Sequence, residues 1–204
     1  KIAIINFTYG TNLGADRHWP KVNYMNDRTG LKAALDKASE TDFTLVLPHW
    51  GTEYVLDHSA GQEETAAWLA RNGADMIIGA HPHVIQDFQM LEIQENEGKR
   101  TVPVAYSLGN AVSNMSARNT QLELMATLRI VMHGNGDIEP LPVEFTYLWC
   151  ARPGGFCDSY TVLPVKEFLG RRDEWLGAWE YDKMVDTYIY VKEHTGIEDK
   201  TSKP

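Results

Sequence analysis

The early part of this 204-residue sequence alternates between short apolar runs and longer amphipathic segments, and that alternation limits the possible folds more than any other feature. Residues 29–40 carry apolar side chains at helical spacing. A second helix is predicted to begin after Ser59, with Gln62 placed for a capping box and Gly73 closing the helix. Strands that alternate with helices predict a parallel sheet with helical cover. The strand-length apolar runs are residues 1–7, 43–47 and 76–78, the second of them stopped by Pro48.

The rest of the sequence predicts antiparallel strands followed by a helix. One hairpin is expected around residues 95–98 and another around Gly134-Asn135-Gly136. The predicted fold class is therefore α/β, with parallel strands first, antiparallel hairpins after them and a C-terminal helix that is closed by Gly196. The expected strands of this part are residues 84–93, 102–108, 122–132, 138–149 and 160–163, and the expected helix is residues 172–194.

Composition excludes several classes of function. The formal net charge of −9 argues against a nucleic-acid surface, which needs a basic stripe. No apolar run approaches the ~20 residues of a membrane-spanning helix. Cys150 and Cys157 flank a short turn-rich segment, so they either form a disulfide in an oxidising compartment or remain two reduced thiols.

Three histidines follow predicted strands. His49 comes after the second strand, and His81 and His83 come after the third, where Pro82 fixes the backbone between their rings. Functional residues in open α/β sheets gather beyond the carboxyl ends of the strands. Neutral imidazole is a common metal ligand, so these histidines are candidate ligands that converge on one cleft. The plainer alternative is that each histidine is only hydrogen-bonded at a strand end.

The neighbourhood of these histidines is poor in carboxylates. Glu53 is either a group that orients His49 or a solvated loop acid. Three histidines alone predict a mononuclear zinc site with an open position, or else half of a larger site. Trp19 and Trp50 are candidates for lining a cleft, and Asn110, after Gly109, is expected in a left-handed turn.

Four segments together resemble the CapA family of capsule-synthesis proteins, which is linked to poly-γ-glutamate capsules. The likeness runs in the family's order over residues 1–114 and continues more weakly to residue 164. The segments are Thr8-Tyr9-Gly10-Thr11-Asn12, His49-Trp50-Gly51-Thr52-Glu53-Tyr54, Gly73-Ala74-Asp75-Met76-Ile77-Ile78-Gly79-Ala80-His81-Pro82-His83-Val84 and Tyr106-Ser107-Leu108-Gly109-Asn110.

The resemblance implies a branch of the calcineurin-like metallophosphatases with a four-layer α/β/β/α sandwich. It implies that His49 and His81 ligate one divalent metal and His83 another, with zinc, manganese and iron all open. Trp50 and Asn110 would lie around the ligands. Residues 1–164 are then expected to form the C-terminal half of such a domain, and residues 165–204 a helical extension.

Several expectations follow from the same resemblance. The family's metal-binding acids precede the region that matches, so this chain alone is expected to be inactive and to pair with an N-terminal half or with itself. Its first strand should be buried on both faces in the parent protein. The parent is expected in the cell envelope, extracytoplasmic, and anchored through a segment that this chain lacks.

Two classes of function remain open on these residues. The first is metal-assisted hydrolysis, in the intact parent or as a mononuclear zinc hydrolase. The second is a non-catalytic scaffold or binding module for an anionic polymer or for capsule machinery.

Overall fold

A computed structural model describes residues 1–12, 22–95 and 98–200 of the chain. The contacts between residues divide these residues into two compact units. Each unit is made of several segments that are not continuous in sequence. None of the helices in the described ranges combines the length and the apolar character needed to cross a bilayer. Unit 1 comprises residues 1–52, 58–81 and 88–106, and unit 2 comprises residues 53–57, 82–87 and 107–204.

Unit 1 contains a mixed five-stranded sheet and two helices. The sheet has the strand order β1-β2-β3-β5-β4, in which β1, β2, β3 and β5 run parallel and β4 pairs antiparallel to β5. The predicted parallel sheet with helical cover is thus present. The elements are β1 (Ile2–Thr8), α1 (Arg28–Ala38), β2 (Phe43–His49), α2 (Ala60–Arg71), β3 (Met76–Ile78), β4 (Phe88–Glu95) and β5 (Gly98–Ala105).

The two helices begin and end through local hydrogen bonds that the sequence encodes. Asp27 caps α1 by accepting a hydrogen bond from the Gly30 amide at 2.9 Å. Ser59 and Gln62 form the predicted capping box at the start of α2. Helix α2 ends at Arg71 with Asn72 as its C-cap, and Gly73 follows with a φ of +102°. Side chains on the apolar face of each helix join the core of unit 1.

Strand β1 is buried on one face only in this chain. It is an edge strand of the five-stranded sheet and pairs along its length with β2, while on its other side Thr8 alone forms a parallel bridge, with Tyr24. Ile5 and Phe7 are buried, whereas Ile2 is 58% exposed and Ile4 is 65% exposed. The expectation concerns the parent protein, so the exposure of Ile2 and Ile4 in this chain leaves it a prediction.

Strand β2 also differs from its predicted end. It continues through Pro48 to His49, since proline lacks only the donor and its carbonyl still accepts a hydrogen bond from the Ala80 amide at 2.9 Å. The β4–β5 hairpin confirms the predicted antiparallel pairing. It spans residues 88–105, fewer than the expected 84–108. Residues 96 and 97 of its turn lie outside the described part of the chain.

Unit 2 contains a three-stranded antiparallel sheet, a separate hairpin and the C-terminal helix. The sheet order is β10-β9-β6, and α4 packs on β6 and β9. A single turn of 3-10 helix, Arg172–Glu174, precedes α4. The elements are β6 (Leu122–Thr127), β7 (Ile130–Met132), β8 (Ile138–Pro140), β9 (Glu144–Ala151), β10 (Thr161–Pro164), α3 (Val165–Phe168) and α4 (Ala178–Thr195).

The long hairpin predicted for this half is divided in two. Strands β7 and β8 pair around the Gly-Asn-Gly turn, while β6 and β9 pair separately in the larger sheet. Pro140 and Pro142 lie close to the break, where a strand loses donors. Helix α4 begins later than predicted and ends at Thr195. The next residue, Gly196, is the expected left-handed cap with a φ of +67°. The proposed domain boundary after residue 164 stays a prediction.

Candidate metal centre

Three aromatic rings meet at the carboxyl ends of neighbouring strands in unit 1. His49 ends β2, and its ring centroid lies 4.7 Å from that of His81, which follows β3. Tyr9 follows β1, with its ring 4.5 Å from His81 and parallel to His49 at 6.1 Å. The backbone fixes this arrangement, because the Tyr9 amide donates to the His49 carbonyl at 2.9 Å. The predicted meeting of His49 and His81 is therefore present in unit 1.

The packing beneath these rings requires glycine at position 79. A Cβ atom there would lie 2.0 Å from the Tyr106 carbonyl oxygen and 2.3 Å from Nε1 of Trp50. Trp50 is 1% exposed, and its indole N–H donates to that carbonyl at 2.9 Å. The prediction that Trp50 lines a cleft is wrong, because the indole is buried in the core of unit 1.

In unit 2, Asn110 fixes the orientation and the tautomer of His83. The amide nitrogen of Asn110 donates to the carbonyls of His83 and Thr120, both at 3.2 Å, so the amide oxygen must be the atom that faces the ring. That oxygen is 2.8 Å from Nδ1 of His83. An amide oxygen only accepts, so Nδ1 carries the proton and Nε2 of the neutral ring keeps its lone pair.

Glu53 lies beside Nε2 of His83, on the side of the ring away from Asn110. Its Oε1 atom is 3.9 Å from Nε2 of His83, which is too long for a hydrogen bond. Tyr54 stacks on the His83 ring with centroids 6.1 Å apart. Desolvation, and then the Glu53 carboxylate, raise the pKa of the Tyr54 phenol. An imidazole and a carboxylate held at this separation are a ligand pair that suits zinc, manganese or iron.

The backbone at both His81 and His83 lies in the left-handed region. His81 has a φ of +107° and His83 a φ of +59°, on either side of Pro82. Such a conformation costs a residue other than glycine about 1–3 kcal/mol. Residues strained in this way cluster at functional sites, where the surrounding structure holds them in place. These φ values show that the backbone at His81 and His83 leaves the extended conformation of a strand.

The remaining predicted site residues have varied outcomes. Glu53 and His83 are neighbours in unit 2 and form a candidate ligand pair. That His81 joins them, and that Glu53 orients His49, stay predictions. The convergence of His83 with His49 also stays a prediction. The left-handed backbone conformation expected at Asn110 is found instead at Gly109, which has a φ of +81°. Trp19 lies outside the described residues.

Cys150 and Cys157 are free thiols in the structure, so the alternative of two reduced cysteines holds and the disulfide is not formed. Each sulfur contacts a polar neighbour instead. Sγ of Cys150 accepts a hydrogen bond from the Ser113 amide at 3.5 Å, and Sγ of Cys157 lies 2.9 Å from the Thr161 hydroxyl. Hydrogen bonds from Ser159 and Thr161 lower the pKa of the Cys157 thiol.

Sequence reasoning missed two aromatic residues of this region. Tyr9 had a usable signal, since it follows β1 just as His49 follows β2, and the carboxyl ends of parallel strands share one edge. Tyr54 had none, because its stacking on His83 depends on its own left-handed backbone, with a φ of +66°.

Residues 1–115 match the family described as "Bacterial capsule synthesis protein PGA_cap". That segment includes β1 to β5 and every candidate metal ligand named above. The match ends shortly after Asn110, so the C-terminal part of unit 2 lies beyond it.

Two curated relatives are similar over part of their length. The "PGA biosynthesis protein CapA" of Bacillus subtilis (strain 168) is 28% identical over 145 residues, which cover 70% of this chain and 36% of the relative. The "Capsule biosynthesis protein CapA" of Bacillus anthracis is 31% identical over 113 residues, which cover 55% of this chain and 26% of the relative. The matched segment thus spans only about a third of the relatives' length or less.

Proposed function

We propose that this chain takes part in building a cell-envelope capsule, because it belongs to the bacterial capsule synthesis protein family PGA_cap. We also propose that it carries half of a metal-dependent hydrolytic centre. The observation that carries the hydrolytic part is the fixed tautomer of His83, whose Nε2 lone pair is presented towards Glu53. A histidine that is only hydrogen-bonded at a strand end needs no carboxylate at 3.9 Å and no left-handed backbone.

The four ligands of the proposed centre are His49, His81, His83 and Glu53. Asn110 holds the His83 ring in the ligating tautomer, and Tyr9 confines the rings of His49 and His81. A bound divalent cation would lower the pKa of a water ligand and polarise a phosphoryl or acyl oxygen of the substrate. The donor set fits such a cation because it mixes imidazole nitrogens with a carboxylate oxygen.

A centre with two metal ions needs more oxygen ligands than this group provides. In the described ranges, the candidate group contains a single carboxylate, that of Glu53. Two-metal hydrolases hold their ions ~3.5–4 Å apart with bridging oxygens. We therefore propose that the remaining acids come from an N-terminal half or from a second copy, and that the complete domain is the four-layer α/β/β/α sandwich of the metallophosphatases. The relatives' names favour a place in the cell envelope, where we propose that the parent is extracytoplasmic and anchored.

Metal titration tests the proposal most directly. Zinc or manganese chloride is titrated into the chain by isothermal calorimetry, with His81→Ala and His133→Ala as matched variants. His133 is a suitable control because it also lies near a carboxylate, 3.0 Å from Glu139, on the exposed β7–β8 hairpin. We expect one ion per chain, no binding by His81→Ala and unchanged binding by His133→Ala.

The catalytic part of the proposal needs a second assay. Hydrolysis of a phosphoester is measured for the metal-loaded chain with and without the N-terminal half of the parent, and turnover is expected only with it. Metal binding without turnover in either case would favour the non-catalytic module for an anionic polymer. Turnover by the chain alone would favour the mononuclear zinc hydrolase. A chain that binds neither zinc nor manganese would contradict the metal centre.

A further inference from the structure

Gln86 is a buried side chain that connects the two segments carrying Glu53 and His83. It is 1% exposed and lies three residues after His83, in unit 2. Its Nε2 atom donates to the carbonyl of Val55 at 2.9 Å and to the carbonyl of Asp57 at 3.1 Å. Both protons of the amide are thereby used on the backbone of the 53–57 loop.

The 53–57 loop is attached to the 82–87 segment at a second point. The Tyr54 amide donates to the Pro82 carbonyl at 2.8 Å, one residue away from both Glu53 and His83. Gln86 is itself held, because its amide donates to the Ser107 carbonyl at 3.1 Å. The two attachments flank the Glu53–His83 pair, so together they set the separation of its Oε1 and Nε2 atoms.

We propose that Gln86 is a positioning residue of the metal centre, which fixes Glu53 at ligating distance from His83 by holding the 53–57 loop. This inference rests on the proposed function, because the distance matters only if the pair holds a metal ion. A glutamine is suited to this role. Its amide group gives two donors to two carbonyls, which a glutamate or a methionine of similar size does not.

The test compares Gln86→Met with Gln121→Met. Gln121 is also 1% exposed, and its Nε2 donates to the Cys150 carbonyl at 2.9 Å and to Glu180 at 2.7 Å, so its loss removes similar buried hydrogen bonds without touching the 53–57 loop. Both variants are first checked for folding by urea denaturation. Zinc affinity and the visible absorption of bound cobalt(II), which reports the coordination of the metal, are then measured.

We expect Gln86→Met to lower zinc affinity at least about 10-fold, as loss of a residue that supports a ligand typically does, and to change the cobalt(II) spectrum. Gln121→Met should keep both at wild-type values. Wild-type affinity and spectrum in Gln86→Met would overturn the positioning role and leave the proposed function standing.

Amide hydrogen exchange at Tyr54 separates this inference from the proposed function. The Tyr54 amide should exchange faster in Gln86→Met than in the wild type or in Gln121→Met, whether or not metal is present. If the wild type binds no metal, the proposed function fails, and faster exchange still supports Gln86 as the group that holds the loop. Unchanged exchange at Tyr54 would overturn the inference by itself.

Discussion

His81 and His83 combine a candidate chemical role with a backbone that disfavours any side chain. Their positive φ values place them where glycine is the least strained residue, yet both positions carry imidazole. Such residues persist only when the surrounding contacts over-determine them. A purely structural role would be served better by glycine, so the presence of histidine favours a function for the ring.

Comparing two substitutions at His81 separates backbone strain from ligation. His81→Ala and His81→Gly both lose the imidazole, so both should lose metal binding. His81→Gly should nevertheless be more stable by about 1–2 kcal/mol, because glycine accepts a φ of +107° and alanine does not. Urea denaturation of the metal-free variants measures the difference. Equal stability of the two variants would show that the backbone at this position is not strained.

Glu123 predicts a pH dependence of stability. Burial raises its pKa from 4.5 to about 7, and the residue is only 6% exposed. The folded state therefore holds a proton that the unfolded state releases at lower pH, so the contribution of Glu123 to stability is fully present below pH 4.5 and is lost as the pH rises through about 7. The shift corresponds to a loss of up to about 3 kcal/mol across that range.

Glu123→Gln removes this titration while keeping the shape of the side chain. The variant should match the wild type in free energy of unfolding at acid pH and exceed it above neutrality. Urea denaturation over a series of pH values measures this, with the exposed Glu193→Gln as the control. A parallel pH profile for Glu123→Gln and wild type would refute the assignment.

The residue scale also shows where sequence reasoning ends. His49 and His81 were identifiable because each follows a strand of a recognisable parallel sheet. Glu53 as the neighbour of His83, and Gln86 as the side chain that holds its loop, were not identifiable. Their positions depend on turns whose φ values have no periodic signal in the sequence.

At the scale of elements, the helices of unit 1 are largely set by local chemistry. Ser59 and Gln62 start α2 through reciprocal hydrogen bonds, with the Ser59 amide donating to Oε1 of Gln62 at 2.9 Å. Strand ends were harder to predict, because they depend on neighbouring strands. β2 continues through Pro48 since its carbonyl still pairs, and the long hairpin of unit 2 divides where β6 turns to pair with β9 instead.

Ser59→Ala tests how much the cap contributes. The variant should lower the free energy of unfolding by about 1 kcal/mol, because the Gln62 amide loses the Ser59 hydroxyl and keeps only the Ser59 carbonyl as an acceptor. Ser39→Ala is the matched control, since its hydroxyl donates to the Asp36 carbonyl at an exposed helix end and should contribute no more than about 0.5 kcal/mol. Thermal and urea denaturation measure both. A loss at Ser59 no larger than at Ser39 would contradict the capping role.

At the scale of the whole molecule, no further strand within the described residues pairs with residues 2–7 of β1. β1 and β4 are the two edge strands of the five-stranded sheet, and each exposes apolar side chains. On β1 these are Ile2 and Ile4, which lie two positions apart and so share one face of the strand. Together they form a continuous apolar strip. Free edges with apolar side chains recruit other chains, unless charged residues or prolines protect them.

We expect the chain to associate through β1, with a second copy when alone or with an N-terminal half when that is supplied. The double variant Ile2→Thr, Ile4→Thr should shift the purified chain towards monomer, because threonine keeps the strand propensity and removes apolar surface. Met90→Thr is the control, since Met90 is 56% exposed on β4, the opposite edge of the same sheet. Sedimentation velocity over a range of protein concentrations measures the association. A wild-type chain that stays monomeric throughout, or an equal effect of Met90→Thr, would show that the β1 strip is not the surface of association. The ligands that the proposed metal centre lacks would then have to reach it from another face.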